Sequence, residues 1–451
     1  MPKVSKKITG EVTISAAKFS QLQKKVKNIA GFKEKITASL GKEVTEVLEA
    51  ILGGAIALEA SDIHIEPLEE KAKIRSRIDG ILQDVLFIES EVHNALLSRI
   101  KLLSGLKLNI SDRPQDGRFS IVIEKTTATE NPSHLPPRPT LQGSVIEVRS
   151  SALPAEYGES IVLRILNPKS LIGMEVLGLR KDLLEIFKKE IKKPNGMIIV
   201  TGPTGSGKTT TLYAFLKELQ KPQIKIITIE DPIEYHLEGI SQTQTDAEKG
   251  YDFASGLKSI MRQDPDVVLV GEIRDLETAS IALQAALTGH LVFTTLHTND
   301  AAGTVARIQA LGEKPVNIAP AINLAVAQRL VRKVCEKCVK FEKPSIEEVK
   351  KIKKELRSLK TEMPKITSVT KIPRAVGCRD CNSTGYRGRV GIFEAFLVDD
   401  EMEKFILTSP SIADLKEKAI KKGMITMKQD GLIKVLEGIT TIEEVERVVG
   451  E

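Results

Sequence analysis

A glycine-rich segment offers the clearest chemistry in this sequence. Residues 202–209 read Gly-Pro-Thr-Gly-Ser-Gly-Lys-Thr, which is the spacing G-x-x-x-x-G-K-T. Glycines let a backbone turn tightly enough for successive N–H groups to face phosphate oxygens, and the start of a helix adds a partial positive charge. The apolar run 197–200 precedes the segment and a helix-like run follows it, which is the context that this motif needs. The segment is therefore predicted to bind the phosphates of a nucleotide.

The last two residues of this loop are expected to have different roles, one at the phosphates and one at the metal. Lys208 can reach the β and γ phosphates, and the Thr209 hydroxyl can ligate Mg²⁺. The loop alone does not distinguish a kinase, a GTPase or a motor protein, so other parts of the chain must make that choice. The predicted nucleotide-binding residues of the loop are Gly202, Thr204, Gly205, Ser206, Gly207, Lys208, Thr209 and Thr210.

Carboxylates follow the next strand-like run along the chain. Residues 229–234 read Ile-Glu-Asp-Pro-Ile-Glu, which places Glu230, Asp231 and Glu234 close together. Phosphoryl transfer to water needs one carboxylate to position or deprotonate the water and others to hold hydrated Mg²⁺. The group is therefore predicted to act beside the phosphate loop, with a solvated acidic turn as the alternative.

A third strand-like run, 267–270, ends at Gly271 and Glu272. It is similar to a Walker B strand, but glycine stands where a metal-binding aspartate usually follows, so we expect Glu272 to hold Mg²⁺ through water. His290 and His297 flank the next strand-like run. His297 falls at its carboxyl end, where it could sense a γ-phosphate, while a hydrogen-bonded structural histidine is the alternative for both.

The cysteines form a separate candidate site. The chain has four, Cys335 with Cys338 and Cys378 with Cys381, in two Cys-x-x-Cys pairs. Paired thiolates at this spacing can bind tetrahedrally, which is the geometry that structural Zn²⁺ prefers. The interval between the pairs is longer than in the usual zinc ribbon, and thioredoxin-like redox chemistry is the competing interpretation. Two pairs without a redox-type fold around them favour zinc.

Composition narrows the class of protein. The 451 residues are 41% hydrophobic and 28% charged, as in soluble globular proteins, and size alone predicts two or three domains. Aromatic residues make up only 4%, which argues against base stacking, and a net charge of +6 is too weak to indicate nucleic acid binding. The sequence has no apolar run of the ~18–20 residues that a membrane span needs, and no secretory signal, so we expect a cytoplasmic protein.

Strand-like and helix-like runs alternate between residues 171 and 330, which predicts an α/β domain with a parallel sheet. The strand-like runs are 197–201, 224–229, 267–270 and 291–295. Ligands of such sheets bind at the carboxyl ends of the strands. The phosphate loop, the acidic group, Glu272 and His297 each follow one such end, so we expect them to meet in one crevice.

Four further segments flank this P-loop core. Residues 1–37 are polar and Lys-rich and are interpreted as an arm or linker that could contain a short helix. Residues 38–170 combine amphipathic helix patterns with alternating strand patterns, including a hairpin signal at Asp79-Gly80, which predicts an α+β domain with a mostly antiparallel sheet. Residues 331–395 form a module around the cysteines, and residues 396–451 are typical of several short helices.

Four motifs occur together in a recognisable order. They are the loop 202–209, Ile-Glu-Asp-Pro-Ile-Glu at 229–234, Val-Gly-Glu-Ile-Arg-Asp at 270–275 and Thr-Gly-His-Leu-Val-Phe-Thr-Thr-Leu-His-Thr-Asn-Asp at 288–300. With them the chain closely resembles the ATPases that power type II secretion and type IV pilus assembly, over roughly residues 40–451. The resemblance implies ATP and Mg²⁺ as ligands. It indicates Glu234 as the catalytic glutamate, Glu272 as the Walker B glutamate and His297 as the residue of a His box.

The domain at 38–170 resembles the PAS-like domain of the same family. The resemblance rests on Ala-Ser-Asp-Ile-His-Ile-Glu-Pro at 60–67, Arg-Ser-Arg-Ile-Asp-Gly at 75–80, Arg-Pro-Gln-Asp-Gly-Arg at 113–118 and Gly-Glu-Ser-Ile-Val-Leu-Arg at 158–164. It implies arginines that close over the nucleotide phosphates, and an arginine fork suits a γ-phosphate better than a lysine does. The candidates are Arg113 and Arg118, followed by Arg77 and Arg99, with a surface salt bridge as the alternative for each.

The resemblance also implies an architecture and a partner. It implies a RecA-like P-loop ATPase domain preceded by the PAS-like domain, with a small zinc module and a helical C-terminal region. It implies a homo-hexamer, peripheral at the cytoplasmic face of the inner membrane, that drives assembly of pili or secretion pseudopili through a membrane platform protein. The weak net charge and the few aromatic residues add the expectation that no nucleic acid takes part. The cysteine module favours assembly or export over pilus retraction. Two rival functions stay open, a DNA-translocating ATPase of the conjugation type and a nucleotide-binding scaffold that hydrolyses little.

Two features depart from the family pattern. Assembly and export members usually carry a further N-terminal domain that docks on a membrane partner, whereas only about 40 residues precede the matched region, so we expect that contact to be missing, minimal or made differently. The stretch 125–141, rich in Thr and Pro, is interpreted as an inserted mobile loop.

Overall fold

The structure is a computed structural model that describes residues 10–124, 144–167, 172–357, 359, 366–367 and 369–450. The chain divides into two compact units. The first falls within Met1–Ser170 together with Gly377–Thr384, and the second within Leu171–Val376 and Gly385–Glu451. The Pro-rich loop predicted at 125–141 lies outside the described residues.

The first unit is built from helices on a single sheet. Its elements are β1 Glu11–Ile14, α1 Ala16–Lys25, α2 Ile29–Thr37, α3 Val44–Ala57, β2 Asp62–Pro67, β3 Lys71–Ile78, β4 Ile81–Glu89, α4 Ser90–Ser104, β5 Gln115–Ile123, β6 Val145–Ala155 and β7 Gly158–Leu166. The seven strands have the order β1-β5-β6-β7-β2-β3-β4. Only the β1–β5 pair among them is parallel, which agrees with the predicted, mostly antiparallel α+β domain.

The segment before α3 belongs to the core of this unit. Phe19 and Leu22 of α1 and Phe32 of α2 are buried, and they pack in the same apolar cluster as α3. Glycines of α3 permit this close packing, since a Cβ at Gly53 would lie 2.6 Å from Leu22 Cδ1 and a Cβ at Gly54 would lie 2.4 Å from the Phe32 ring. The interpretation of this segment as a polar arm or linker is therefore wrong for its described part.

The hairpin predicted at Asp79-Gly80 joins β3 to β4. Ile78 pairs with Ile81, and the two residues between them have φ values of +50° and +83°. Positive φ at both central residues is what a two-residue type I′ turn requires, and Asp-Gly is a preferred pair for it. The local turn signal is confirmed.

The second unit alternates strands and helices. Its elements are α5 Lys181–Glu190, β8 Gly196–Thr201, α6 Lys208–Leu219, β9 Ile226–Glu230, β10 Ser241–Gln244, α7 Phe253–Met261, β11 Val267–Val270, α8 Leu276–Leu287, β12 Leu291–Leu296, α9 Gly303–Ala310, α10 Pro315–Ile318, β13 Ile322–Val334, β14 Lys340–Glu342, α11 Ile346–Leu356, β15 Ile372–Arg374, β16 Tyr386–Leu397, α12 Asp400–Leu407, α13 Ile412–Lys421, α14 Met427–Leu436 and α15 Ile442–Val449. Short 3₁₀ turns occur in it at Met174–Val176 and Ala247–Lys249, whereas the 3₁₀ turn Arg379–Cys381 belongs to the first unit.

The central sheet of this unit has the strand order β10-β9-β11-β12-β8-β13-β16. All neighbouring pairs in it are parallel except β13 with β16. Every residue of β8, β9, β11 and β12 is buried, which explains why these strands read as continuous apolar runs. The predicted α/β fold with a parallel sheet and C-terminal helices is confirmed.

The two long strands β13 and β16 bracket the cysteine module. Because both pair within the central sheet, the module boundaries expected at 331 and 395 fall inside strands. Alternating apolar residues show that a segment is a strand but not which sheet it joins. Within the described ranges, every helix is too short or too polar to cross a bilayer.

Candidate functional site

The glycine-rich loop joins β8 to α6. Gly202, Gly205 and Gly207 have φ values of +148°, +79° and +90°, which side chains with a Cβ rarely adopt. Lys208 Nζ donates a hydrogen bond to the Gly202 carbonyl oxygen at 2.7 Å. Burial lowers the pKa of Lys208, and the nearby carboxylate of Glu272 opposes this shift. The loop thus has the tight backbone that phosphate binding needs, with an ammonium group folded over it.

The remaining predicted residues of the loop differ in exposure. Thr204 is exposed, whereas Ser206 is buried and its hydroxyl has no hydrogen-bond partner within the described part of the chain. Thr209 and Thr210 lie half-buried in the first turn of α6. The first N–H groups of a helix have no partners inside the helix, so this turn can offer them to a phosphate.

Gln328 of β13 supports this loop, and the sequence reasoning missed it. A Cβ at Gly202 would lie 2.5 Å from the Gln328 carbonyl oxygen, and a Cβ at Gly207 would lie 2.8 Å from Gln328 Nε2. Thr211 Oγ1 donates to Gln328 Oε1 at 2.7 Å. One signal was available, because a polar residue inside an apolar strand must find hydrogen-bond partners.

Glu272 and His297 lie at the ends of two adjacent strands, β11 and β12. His297 Nε2 is 3.4 Å from Glu272 Oε2. Burial and the positive charge of Lys208 lower the pKa of His297, while Glu272 raises it. Lys208, Glu272 and His297, which come from three separate motifs, therefore lie close enough to affect one another electrostatically.

Arg274 lies beside the Glu272 carboxylate. It forms an ion pair with Glu272 through Nη2, and its Nη1 lies 3.9 Å from Asp231 Oδ2. The side chain of Glu272 is only 14% exposed, so it is held between a guanidinium and an imidazole with little freedom. This arrangement fixes the carboxylate next to the phosphate loop.

The presence of glycine at position 271, directly before Glu272, has a steric explanation. A Cβ at Gly271 would lie 3.2 Å from the Ile229 carbonyl oxygen and 3.3 Å from Glu230 Cα. The Gly271 N–H donates to that same carbonyl at 2.8 Å. An aspartate at this position would crowd the end of β9, so Glu272 is the carboxylate that this strand end can present.

The carboxylates after β9 have unlike surroundings. Glu230 is 3% exposed, accepts a hydrogen bond from Thr228 Oγ1 at 2.6 Å, and has its pKa raised by burial. Asp231 is exposed and Glu234 is half-buried. Glu230 is therefore a buried anchor. Of the three carboxylates, only Asp231 and Glu234 remain candidates for binding the water or the metal.

His290 lies at the amino end of β12, opposite to His297. Its Nδ1 is 3.1 Å from the Ala285 carbonyl oxygen, so the ring is tied to α8. This contact supports the structural interpretation of His290, far from the strand ends where ligands bind.

The four candidate arginines lie in the first unit and differ in their contacts. Arg77 Nε lies 3.3 Å from Asp62 Oδ2. Arg99 is half-buried, and its Nε has no hydrogen-bond partner among the described residues. Arg113 is exposed between α4 and β5, and Arg118 of β5 is 51% exposed. Contact of these side chains with a nucleotide stays a prediction.

The four cysteines converge on one point. The Sγ atoms of Cys335, Cys338, Cys378 and Cys381 all lie within 4.8 Å of one another. Zn–S bonds of ~2.3 Å in a tetrahedron place sulfur atoms ~3.8 Å apart, and Cys378 and Cys381 Sγ are 3.7 Å apart. The Cys378 N–H also donates to Cys381 Sγ at 3.1 Å. The donor set and spacing fit a structural zinc ion.

Comparisons with known proteins agree with these observations. Residues 39–447 match the family of type II/IV secretion system proteins. The chain is 44% identical over 409 residues to the type II secretion system ATPase E of Vibrio cholerae, covering 90% of this chain and 76% of the relative. It is 41% identical over 403 residues to the type IV pilus assembly ATPase PilB of Myxococcus xanthus, covering 89% of this chain and 67% of the relative.

A solved structure has a similar fold. The crystal structure of the pilus retraction motor PilT with bound ADP matches with a TM-score of 0.56 at 25% identity, covering 89% of this chain and 96% of that chain. Together with the clustered P-loop, Glu272 and His297, the extent of the family match leaves one assignment. The chain belongs to the family of type II/IV secretion system proteins.

Proposed function

We propose that the protein is a Mg²⁺-dependent ATPase that drives assembly of type IV pili or type II secretion pseudopili. The observation that carries this proposal is the convergence of Lys208, Glu272 and His297 at the carboxyl ends of adjacent parallel strands. Two of the relatives described above are named as ATPases of these two systems. The cysteine cluster favours assembly or export over retraction.

Each residue has one task in the proposed reaction. Lys208 and the N–H groups of the first turn of α6 hold the β and γ phosphates. Thr209 and Glu272 would hold Mg²⁺, which supplies charge neutralisation at the phosphates when bound. Glu234 orients the attacking water and accepts its proton. His297, whose Nε2 lies 3.4 Å from Glu272 Oε2, would sense whether the γ-phosphate is present.

The remaining parts of the proposal concern assembly. Arg113 and Arg118, with Arg77 and Arg99 as further candidates, would add positive charge at the phosphates and speed hydrolysis. The motor would act as a homo-hexamer, peripheral at the cytoplasmic face of the inner membrane, and would push or turn a membrane platform protein. This part rests on the family and on the single P-loop in each chain.

Release of phosphate from ATP tests the proposal. We expect the purified protein to release phosphate only with Mg²⁺ present, and addition of excess EDTA to stop the release because Thr209 and Glu272 lose the metal that they hold. Replacing EDTA with its Mg²⁺ complex is the control. Hydrolysis that single- or double-stranded DNA stimulates severalfold would instead favour a DNA-translocating motor, and absence of hydrolysis would favour a nucleotide-binding scaffold.

We also propose that the four cysteines hold one structural zinc ion. Cys378→Ser is expected to lower the bound zinc from about one ion per chain to nearly none, because a tetrahedral site loses a quarter of its ligands. Zinc content measured by mass spectrometry checks this. The control is Arg379→Ala, an exposed side chain between two ligands, which should keep the metal. A wild-type chain without zinc but with two disulfides would support the redox interpretation.

A further inference from the structure

A buried polar network links the phosphate-loop helix to the acidic loop after β9. Tyr213 of α6 is 2% exposed, and its hydroxyl donates to the Glu230 carboxylate. Gln242 of β10 donates to the same carboxylate, with Nε2 3.2 Å from Glu230 Oε1. Burial raises the pKa of both Tyr213 and Glu230. The reaction described above uses none of these three side chains.

The same network contacts the backbone at Glu234 and directly after it. The backbone N–H groups of Tyr235 and Glu234 lie near the Tyr213 hydroxyl oxygen, where they oppose the rise in the pKa of Tyr213. Gln242 Nε2 donates to the Tyr235 carbonyl oxygen at 3.0 Å, and Gln242 Oε1 accepts from the Leu237 N–H at 2.7 Å. The loop between β9 and β10 is therefore anchored through its main chain at the residue proposed as general base.

The rings add a second contact at the same place. Tyr213 and Tyr235 meet edge to face, with centroids 6.3 Å apart and planes at 76°. Tyr213 also follows Lys208 and Thr209 in α6, so its hydroxyl is fixed relative to the phosphate site by a single helix. A shift of the helix must move the loop, and a shift of the loop must break hydrogen bonds in a dry core.

We infer that Tyr213 and Gln242 are positioning residues that fix Glu234 at the correct place relative to the phosphate site. Glu230 is the buried carboxylate to which both side chains bind. The inference rests on the proposed function, because it assigns the positioning to Glu234 as general base. Displacement of a catalytic group by ~1 Å can cost ~10²-fold in rate even when binding is intact. The network would therefore act on turnover and not on nucleotide affinity.

Tyr213→Phe tests this directly, since it removes one hydroxyl and keeps the ring. We expect kcat to fall by about tenfold or more while KM for ATP changes by less than about twofold. Gln242→Met removes the other hydrogen bonds and should act in the same way. The matched control is Tyr251→Phe, whose hydroxyl lies 3.0 Å from Thr243 Oγ1, next to Gln242 in β10, and this variant should keep its kcat.

A double variant separates positioning from a general structural role. If Tyr213 acts through Glu234, then Tyr213→Phe in a Glu234→Gln background should add less than about twofold to the loss, measured in single-turnover reactions. Full additivity, or a loss of kcat equal in the Tyr251→Phe control, would overturn the inference. If Glu234→Gln itself turns over normally, the proposed general base is wrong. If only Glu234→Gln is impaired and Tyr213→Phe and Gln242→Met are normal, the inference alone fails.

Discussion

Replacing Glu234 with glutamine is expected to lower the rate of ATP hydrolysis by ~10²–10⁴-fold, the usual contribution of a general base. Glutamine keeps the size of the side chain and an acceptor oxygen, but it cannot take the proton of the attacking water. In the proposed arrangement Lys208 and the first turn of α6 hold the phosphates, so nucleotide affinity should stay within about twofold. Phosphate release gives kcat, and titration with a fluorescent ATP analogue gives the dissociation constant.

The loop offers a close control for this variant. Glu238 is exposed and belongs to the same connection between β9 and β10, and Glu238→Gln removes the same charge from the same loop. It should hydrolyse ATP at nearly the wild-type rate. Normal turnover of Glu234→Gln would contradict the assignment and make Asp231 the next candidate. A loss of nucleotide affinity would move Glu234 from the water to the metal or the phosphates.

Motifs whose chemistry is local could be read from the sequence. The loop at 202–209 needs a strand before it and a helix after it, and the structure has β8 and α6 there. The strand that ends at Glu230 and the strands that precede Glu272 and His297 were also predictable, because buried parallel strands are nearly continuous apolar runs. Adjacent strand ends then bring together residues that are distant in sequence, without any further information.

The burial of Glu230 could not be predicted from the sequence in this way. Three carboxylates in one short segment look equivalent in sequence, yet Glu230 alone points into the core. Its burial depends on Tyr213 and Gln242, which come from other elements and meet it only in the folded sheet. Gln328 was missed for the same reason, since its partner Thr211 lies on α6 while Gln328 lies on β13.

The N-terminal segment shows a different limit. Helices α1 and α2 have only ten and nine residues, and although Ile29, Phe32 and Ile36 recur at helical spacing, the many lysines around them give the segment the composition of a polar arm. They are held by tertiary packing against α3, where Gly53 and Gly54 leave room for Leu22 and Phe32. A glycine inside a helix ordinarily weakens a helix prediction, whereas here the missing side chains permit close packing.

The second large effect expected is on stability and comes from a buried charge cluster in the second unit. Asp430 of α14 is fully buried, accepts the Phe393 N–H at 2.8 Å, and lies 2.9 Å from Lys434 Nζ and 2.9 Å from Arg180 Nη1. The carboxylate thereby joins α14 to β16 and to the start of α5. Removing one partner of a buried ion pair typically costs ~3–5 kcal/mol, because the remaining charges stay in the core without compensation.

Asp430→Asn is therefore expected to lower the free energy of unfolding by ~3–5 kcal/mol, although the amide keeps the size of the side chain and an acceptor for the Phe393 N–H. Urea unfolding followed by circular dichroism measures the change.

Glu417 and Lys421 form the same i,i+4 type of pair on the surface, with side chains 65% and 70% exposed. Glu417→Gln should cost less than ~0.5 kcal/mol. Combining Asp430→Asn with Lys434→Met removes one stranded cation and should restore part of the loss. Equal effects of the buried and exposed substitutions would show that the Asp430 cluster does not carry the stability of this unit.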